Sequence, residues 1–221
     1  MVRFLKNGFF PKHCPICEEL LDEGCDWLIA CDLCSAHWPD LRGPSGSVFM
    51  KERCFVEYAQ TGFRLRTEKR LNQQVNEFKY GGNRFLARRW GQWLGTHHSL
   101  PKEYQPNRCV LVPVPLHWKK RVIRGYNQAH WIAKGISSVW KIPVHSSLLH
   151  RRHHGKSLTN LDRKSRNELS RELYESNHAN GRFQVFLVDD VMTTGSTLSA
   201  CGYAVQRAGH EWIGIITLAL A

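Results

Sequence analysis

Residues 185–197 read VFLVDDVMTTGST, a short apolar run followed by two adjacent carboxylates and then a turn rich in hydroxyls. The run predicts a buried strand ending at Asp189 and Asp190, with the chain turning through Thr193, Thr194, Gly195, Ser196 and Thr197 into a helix. Such a turn binds anions: backbone N–H groups and the helix N-terminus point at a phosphate, the hydroxyls add donors, and a glycine lets the backbone come close. Two carboxylates at the carboxyl end of a strand suit ribose hydroxyls, or water held on Mg²⁺. An ordinary helix cap would account for the hydroxyls but gives the paired acids no role.

Two further constellations could do chemistry. Cys14-Pro-Ile-Cys17 and Cys31-Asp-Leu-Cys34 are paired knuckles whose four thiolates can close a tetrahedron around structural zinc, leaving no ligand position open. Cys25, His13 and His37 lie near enough to substitute, but the paired spacing favours the four. Cys54, Cys109 and Cys201 read as buried thiols. The second constellation is basic: Lys119, Lys120, Arg121 and Arg124 follow the run Pro113-Val-Pro115. It suits a diphosphate, whose developing charge it would neutralise. It equally suits a nucleic-acid track continued by Lys79, Tyr80, Arg84, Arg88 and Arg89. Trp90 and Trp93 could add stacking faces to such a track, but they fall on the apolar stripe of a helix and read as core. Arg151, Arg152, His153 and His154 read as loop surface.

The elements that must hold these groups follow from periodicity. Leu71, Val75 and Phe78, then Leu86, Trp90, Trp93 and Leu94, predict two amphipathic helices around the turn YGGN at residues 80–83. CVLV at residues 109–112 predicts a buried strand stopped by Pro113 and Pro115. A helix opening near Asn127 presents Ala129, Ile132, Ala133 and Ile136 on one face. After the strand at residues 185–188 comes a helix with Leu198, Cys201, Val205 and Ala208, ended by Gly209, and a last strand IGIITLAL. Strands alternating with helices predict an α/β fold with a mainly parallel sheet.

Of the 221 residues, 31 are Lys or Arg and 19 are Asp or Glu, a net charge of +12. The segments 1–60, 61–130 and 131–221 carry −3, +11 and +4, so the excess sits in the middle third. This balance points to a polyanionic partner. Six of the eight cysteines lie in the first segment, and RGPSGS at residues 42–47 reads as a linker. The expected division is a four-cysteine module over 1–42 and a main domain over 47–221. With 42% hydrophobic and 23% charged residues, collagenous and wholly disordered readings fail. The longest apolar stretch, residues 212–221, falls short of the roughly 20 residues a membrane span needs. Asn7 and Gly8 interrupt the apolar core a signal peptide would need, so a cytoplasmic location is expected.

The run VDDVMTTGST resembles the 5-phosphoribosyl-1-pyrophosphate (PRPP) signature of type I phosphoribosyltransferases. The four-cysteine finger, FKYGGN at residues 78–83, PVPLHWKKRVIRGYNQA at residues 113–129 and this loop occur in the order seen in the ComF/GntX family of competence-type proteins. That family joins a zinc finger to a phosphoribosyltransferase-like domain. Within HHGKSLTNLDRKSRNEL, Leu161 and Arg166 fit the family pattern, whereas Leu158 stands where similar proteins carry Gln. The resemblance implies PRPP or a nucleotide in the loop, Mg²⁺ with it, structural zinc in the finger, and Asp189 and Asp190 as catalytic acids. It also implies cytoplasmic handling of single-stranded DNA during natural transformation, with a helicase-type partner. Three readings follow: a transferase acting on an unidentified acceptor, a binding module for nucleotide and single strands, and a zinc-anchored adaptor.

Overall fold

A computed structural model describes residues 14, 19, 20, 31, 34, 44–65, 69–152, 172–177 and 181–221. His13, Cys17, Cys25, His37, His153, His154, Leu158, Leu161 and Arg166 lie outside the described residues.

The frame is a four-stranded sheet in the order β1-β6-β5-β2, parallel throughout: β1 is Tyr58–Arg64, β2 Cys109–Pro113, β5 Gln184–Met192 and β6 Glu211–Leu220. The two inner strands β5 and β6 are close to continuous apolar runs, as a strand covered on both faces must be. Alternation along β5 sends Val185 and Leu187 into one core and Phe186 and Val188 into the other. Helices α3 (Arg84–His97) and α5 (Gln128–Trp140) cover the Phe186 side with Trp90, Leu94, Ile132 and Ile136, all buried. They cross so tightly that a Cβ on Gly91 would run into the backbone of Ile132. Helices α1 (Pro44–Cys54) and α6 (Ser196–Arg207) cover the other side with Met50, Leu198, Cys201 and Val205. A two-stranded antiparallel ribbon of β3 (Leu149–Arg151) and β4 (Tyr174–Ser176) packs against the same core.

The mixed α/β class with a mainly parallel sheet is the one the alternating pattern predicts. Helix α2 (Lys69–Tyr80), α3, α5, α6, β2, β5 and β6 all fall where periodicity sets them. Trp90 and Trp93 are core residues, and Cys54, Cys109 and Cys201 are buried thiols. Among the described residues no helix is long and apolar enough to cross a membrane.

The differences have local causes. The run expected to be a linker enters α1 at Pro44, where a proline's missing N–H costs a helix nothing. Strand β1, YAQTGFR, carries Gln60, Thr61 and Gly62 in its centre and so shows no apolar alternation, yet Thr61 is buried there. Helix α4 (Trp118–Arg124) occupies what reads as a basic turn; it buries no side chain and therefore has no stripe to detect. It is set by its caps: the His117 ring accepts from the Lys119 N–H at 3.2 Å, and Gly125 closes it in the left-handed region. Strand β5 also runs past the two aspartates to Met192.

Candidate functional site

The site is built at the carboxyl ends of β2 and β5, adjacent strands of the sheet. This is the end where open α/β sheets bind ligands. After β5 the chain turns through Thr193 and Thr194 to Gly195, whose φ is +78°, and enters α6 with no side-chain cap on the helix. Gly195 itself offers no side-chain acceptor to the first turn of α6, and the Ser196 N–H meets only the Thr194 hydroxyl, at a long 3.5 Å, an arrangement an anion can complete. Thr193, Thr194, Ser196 and Thr197 are exposed, and the Thr194 and Ser196 hydroxyls lie 3.0 Å apart. Thr193, Ser196 and Thr197 line a small pocket of about 40 Å³ together with Asp189 and Gly195. Gly195 serves the turn differently from the way its sequence setting suggests. A Cβ there would point at Met192 Cε (2.7 Å) and Cys54 Sγ (3.2 Å), so the glycine is required by its backbone angle and by packing behind the turn.

The two aspartates part company because the strand alternates. The Asp189 carboxylate accepts from the Asp190 N–H at 2.8 Å and lies on the side of Tyr174 and Cys201, both buried. Burial, and then the neighbouring Asp190 charge, hold the Asp189 carboxyl well above the usual carboxylate range. Asp190 faces the other way. Its Oδ1 accepts from the Val191 N–H at 2.7 Å, and its Oδ2 stands 3.6 Å from Lys79 Nζ and 3.7 Å from Arg124 Nη1. That Oδ2 is buried and accepts no hydrogen bond among the described residues, so a ribose hydroxyl or a water on a divalent cation would complete its shell.

Three motifs far apart in sequence meet at this oxygen. Lys79 comes from the end of α2, in FKYGGN, and Arg124 from the end of α4, in RGYNQ. The Arg124 guanidinium lies over the Tyr80 ring at 5.4 Å and donates to Gln128 Oε1 at 3.1 Å. Asn127 ties the connection down: its amide donates to the Val114 carbonyl at 2.9 Å, and its oxygen accepts from Ala129 N–H at 3.1 Å. Tyr126, between them, is half-buried, and burial pushes its phenol up to about 12.

The four basic residues after Pro115 thus separate. Arg124 is directed at the acidic pair, while Lys119, Lys120 and Arg121 are exposed on α4. Of the residues grouped as a nucleic-acid track, Lys79 and Tyr80 belong to the acidic pair's surroundings. Arg84 is exposed and lies over the Phe85 and Trp131 rings at 5.4 and 5.5 Å; Arg88 is exposed and Arg89 half-buried on the same helix. Arg151, expected in a surface loop, is instead half-buried in β3 and donates to the Tyr174 hydroxyl at 3.1 Å. Its backbone pairs with Tyr174, a register no sequence period announces in three-residue strands.

At the N-terminus, the thiols of Cys14, Cys31 and Cys34 lie within 4.8 Å of one another and could hold a metal ion. The Cys31 N–H donates to Cys14 Sγ at 3.2 Å and the Cys34 N–H to Cys31 Sγ at 3.4 Å, contacts that stabilise thiolate charge. Cys17, the fourth expected ligand, is outside the described residues.

No family model matches the chain. Over 115 residues it is 32% identical to Competence protein F of Haemophilus influenzae, covering 51% of this chain and 50% of that protein. Over 141 residues it is 28% identical to Competence protein ComFC of Bacillus subtilis, covering 63% and 55%. The chain spans about half the length of the curated relatives it matches. These matches support the ComF family that the motifs resemble.

Proposed function

We propose that this chain, a relative of the ComF competence proteins, is a competence protein that binds PRPP or a nucleotide 5′-phosphate through residues 189–197 and holds single-stranded DNA on its basic surface. The observation that carries the reading is the meeting of Lys79 and Arg124 at Asp190 Oδ2, beside the uncapped start of α6. Such an arrangement has a place for each part of a phosphoribosyl ligand. The 5′-phosphate sits on the turn of Thr193, Thr194, Gly195, Ser196 and Thr197, the ribose hydroxyls donate to Asp189 and Asp190, and Lys79 and Arg124 stand where a diphosphate needs neutralising. Mg²⁺ would enter with the diphosphate and supply charge neutralisation there. The exposed Lys119, Lys120, Arg121, Arg84 and Arg88 supply the surface for a strand, in cytoplasmic handling of incoming DNA with a helicase-type partner.

In this reading Cys14, Cys17, Cys31 and Cys34 hold one structural zinc in a module over 1–42, and residues 47–221 form the phosphoribosyltransferase-like domain. A transferase reading is favoured by the same two cations, which could steady a departing diphosphate while an acceptor attacks C1 of the ribose. Titration of the full chain with PRPP and Mg²⁺, with and without single-stranded DNA, tests the binding reading. Release of inorganic diphosphate in candidate acceptor mixtures tests the catalytic one. Failure of PRPP and of nucleoside 5′-monophosphates to bind overturns both.

A further inference from the structure

Beside α4 lies a cleft of about 560 Å³, bounded by the connection after β2, the starts of α4 and α5, and β3. Its size is that of a site for a small organic ligand, with room for a nucleotide. Its lining is aromatic and basic: Trp118, Tyr126 and Trp131 supply ring surface, Arg121 and Arg151 supply charge, and Arg152 at the edge is paired with Glu175 at 2.7 Å. Among the described residues that line it there is no carboxylate. Trp118 is 49% exposed, on a helix that buries none of its side chains. Its ring lies stacked against that of His117, with centroids 5.9 Å apart and planes at 28°, so an aromatic surface is already organised at the first turn of this helix.

The charges around the rings are arranged as a strand would need. Lys119 Nζ lies 5.6 Å from the centre of the Trp118 ring, and the Arg84 guanidinium 5.5 Å from that of Trp131. Lys119, Lys120 and Arg121 follow Trp118 directly on the exposed helix. The cleft also adjoins the phosphate site: Tyr126 lines it and is close enough to Asp190 and Arg124 to feel both charges.

We propose that this cleft is a base-binding site in which one unstacked nucleotide of a single DNA strand stacks on Trp118, while its flanking phosphates run over Lys119, Lys120 and Arg121. The proposal rests on the single-strand reading given above and deepens it, by separating ring recognition from phosphate attraction. A strand held by charge alone has no need of bases, whereas a strand held here does.

The test compares an oligothymidylate of about 15 nucleotides with an abasic deoxyribose-phosphate strand of the same length, on the full-length protein at fixed salt. Wild type should bind the thymidylate strand about 10-fold more tightly or better, the scale of a single base stacked on an aromatic ring. Trp118→Ala should lose that preference while keeping its affinity for the abasic strand, and Trp118→Phe should recover most of it. Equal binding of both strands by wild type, or a preference that survives Trp118→Ala, overturns the cleft as a base site and leaves the phosphate track standing. Failure of wild type to bind either strand at low salt overturns the single-strand reading itself, and the cleft proposal with it.

Discussion

Lys79 Nζ lies 3.6 Å from Asp190 Oδ2, joining the last turn of α2 to the carboxyl end of β5. Both side chains are largely buried, at 17% and 15% exposure, so the pair is only partly screened by solvent. Asp190 also has Arg124 at 3.7 Å, and this third member decides what happens when one partner is removed.

Because Arg124 remains, Lys79→Ala should destabilise the fold by about 1–2 kcal/mol, less than the full penalty of stranding a buried carboxylate. Asp190→Asn, which strands both cations, should cost at least as much. The double variant should cost less than the sum of the two, and denaturant titration of the four proteins measures that coupling. Strict additivity would mean that the two side chains do not share a pair in solution.

Asp189 gives a pH signature of the opposite sign to an ordinary ion-paired carboxylate. Burial and the Asp190 charge raise its folded value above the unfolded one, so over that interval the native state binds the extra proton. Stability should therefore fall as pH rises from about 4 through the raised folded value, where Asp189 ionises in its partly desolvated place beside Asp190. Asp189→Asn removes the effect. The difference in stability between the variant and wild type should grow in the variant's favour across this window and level off above it, as followed by thermal melts at several pH values. A difference that does not change with pH would place Asp189 in water.

Strands β2, β5 and β6 and helices α2, α3, α5 and α6 were legible because their information is periodic: β5 alternates between two cores, and α3 and α5 carry unbroken stripes, whereas β1 and α1 carry no such pattern. The phosphate turn was legible because hydroxyls, glycine and acids stand together in sequence. What periodicity could not carry is the meeting of Lys79, Arg124 and Asp190, which depends on where α2 and α4 end in space. Nor could it reveal α4 itself, which is fixed by His117 and Gly125 at its ends and buries nothing. The aromatic cleft escaped for the same reason, since Trp118 and Trp131 belong to different helices and Arg151 to a short strand.

Gly195 separates folding from binding. With φ at +78° and Met192 Cε 2.7 Å from the position of a Cβ, Gly195→Val should cost about 2–4 kcal/mol, through backbone strain and overpacking against Met192 and Cys54. Thr197→Ala, at an exposed position of the first helical turn, should leave stability close to wild type and weaken a 5′-phosphate ligand. Unfolding curves and nucleotide titration on both variants check the pair. A Gly195→Val protein as stable as wild type would show that the turn is not held as described.

The thiol cluster predicts one zinc per chain. Cys14→Ser with Cys31→Ser removes two of the three thiols that lie within 4.8 Å, and bound zinc should fall to a small fraction of an equivalent. Cys54→Ser, whose buried thiol lies against Gly195 at the other constellation, should leave the metal content unchanged. Metal analysis of the three purified proteins distinguishes a structural site from adventitious binding, which would persist at similar levels in all of them.

The basic residues of α4 should divide by function as they divide in space. Arg124 reaches Asp190 and is 10% exposed, so Arg124→Ala should weaken PRPP binding while changing the salt dependence of DNA binding little. Lys119 and Lys120 are exposed and make no ion pair among the described residues, so replacing both by Ala should act on DNA. Removing one cation from a strand phosphate should flatten the slope of log affinity against log salt by about 0.7, giving a change of about 1.4 for the pair if both touch the strand. PRPP affinity should then stay within about 2-fold of wild type, because the acidic pair, Lys79 and Arg124 are intact. Isothermal titration of each variant with PRPP and Mg²⁺, and fluorescence anisotropy of a labelled single strand at several salt concentrations, give the two readouts. If Arg124→Ala and the Lys119, Lys120 variant weakened both ligands in parallel, α4 would be one undivided anion surface. If the lysine variant kept the wild-type salt slope, the strand would run elsewhere, along Arg84 and Arg88 of α3.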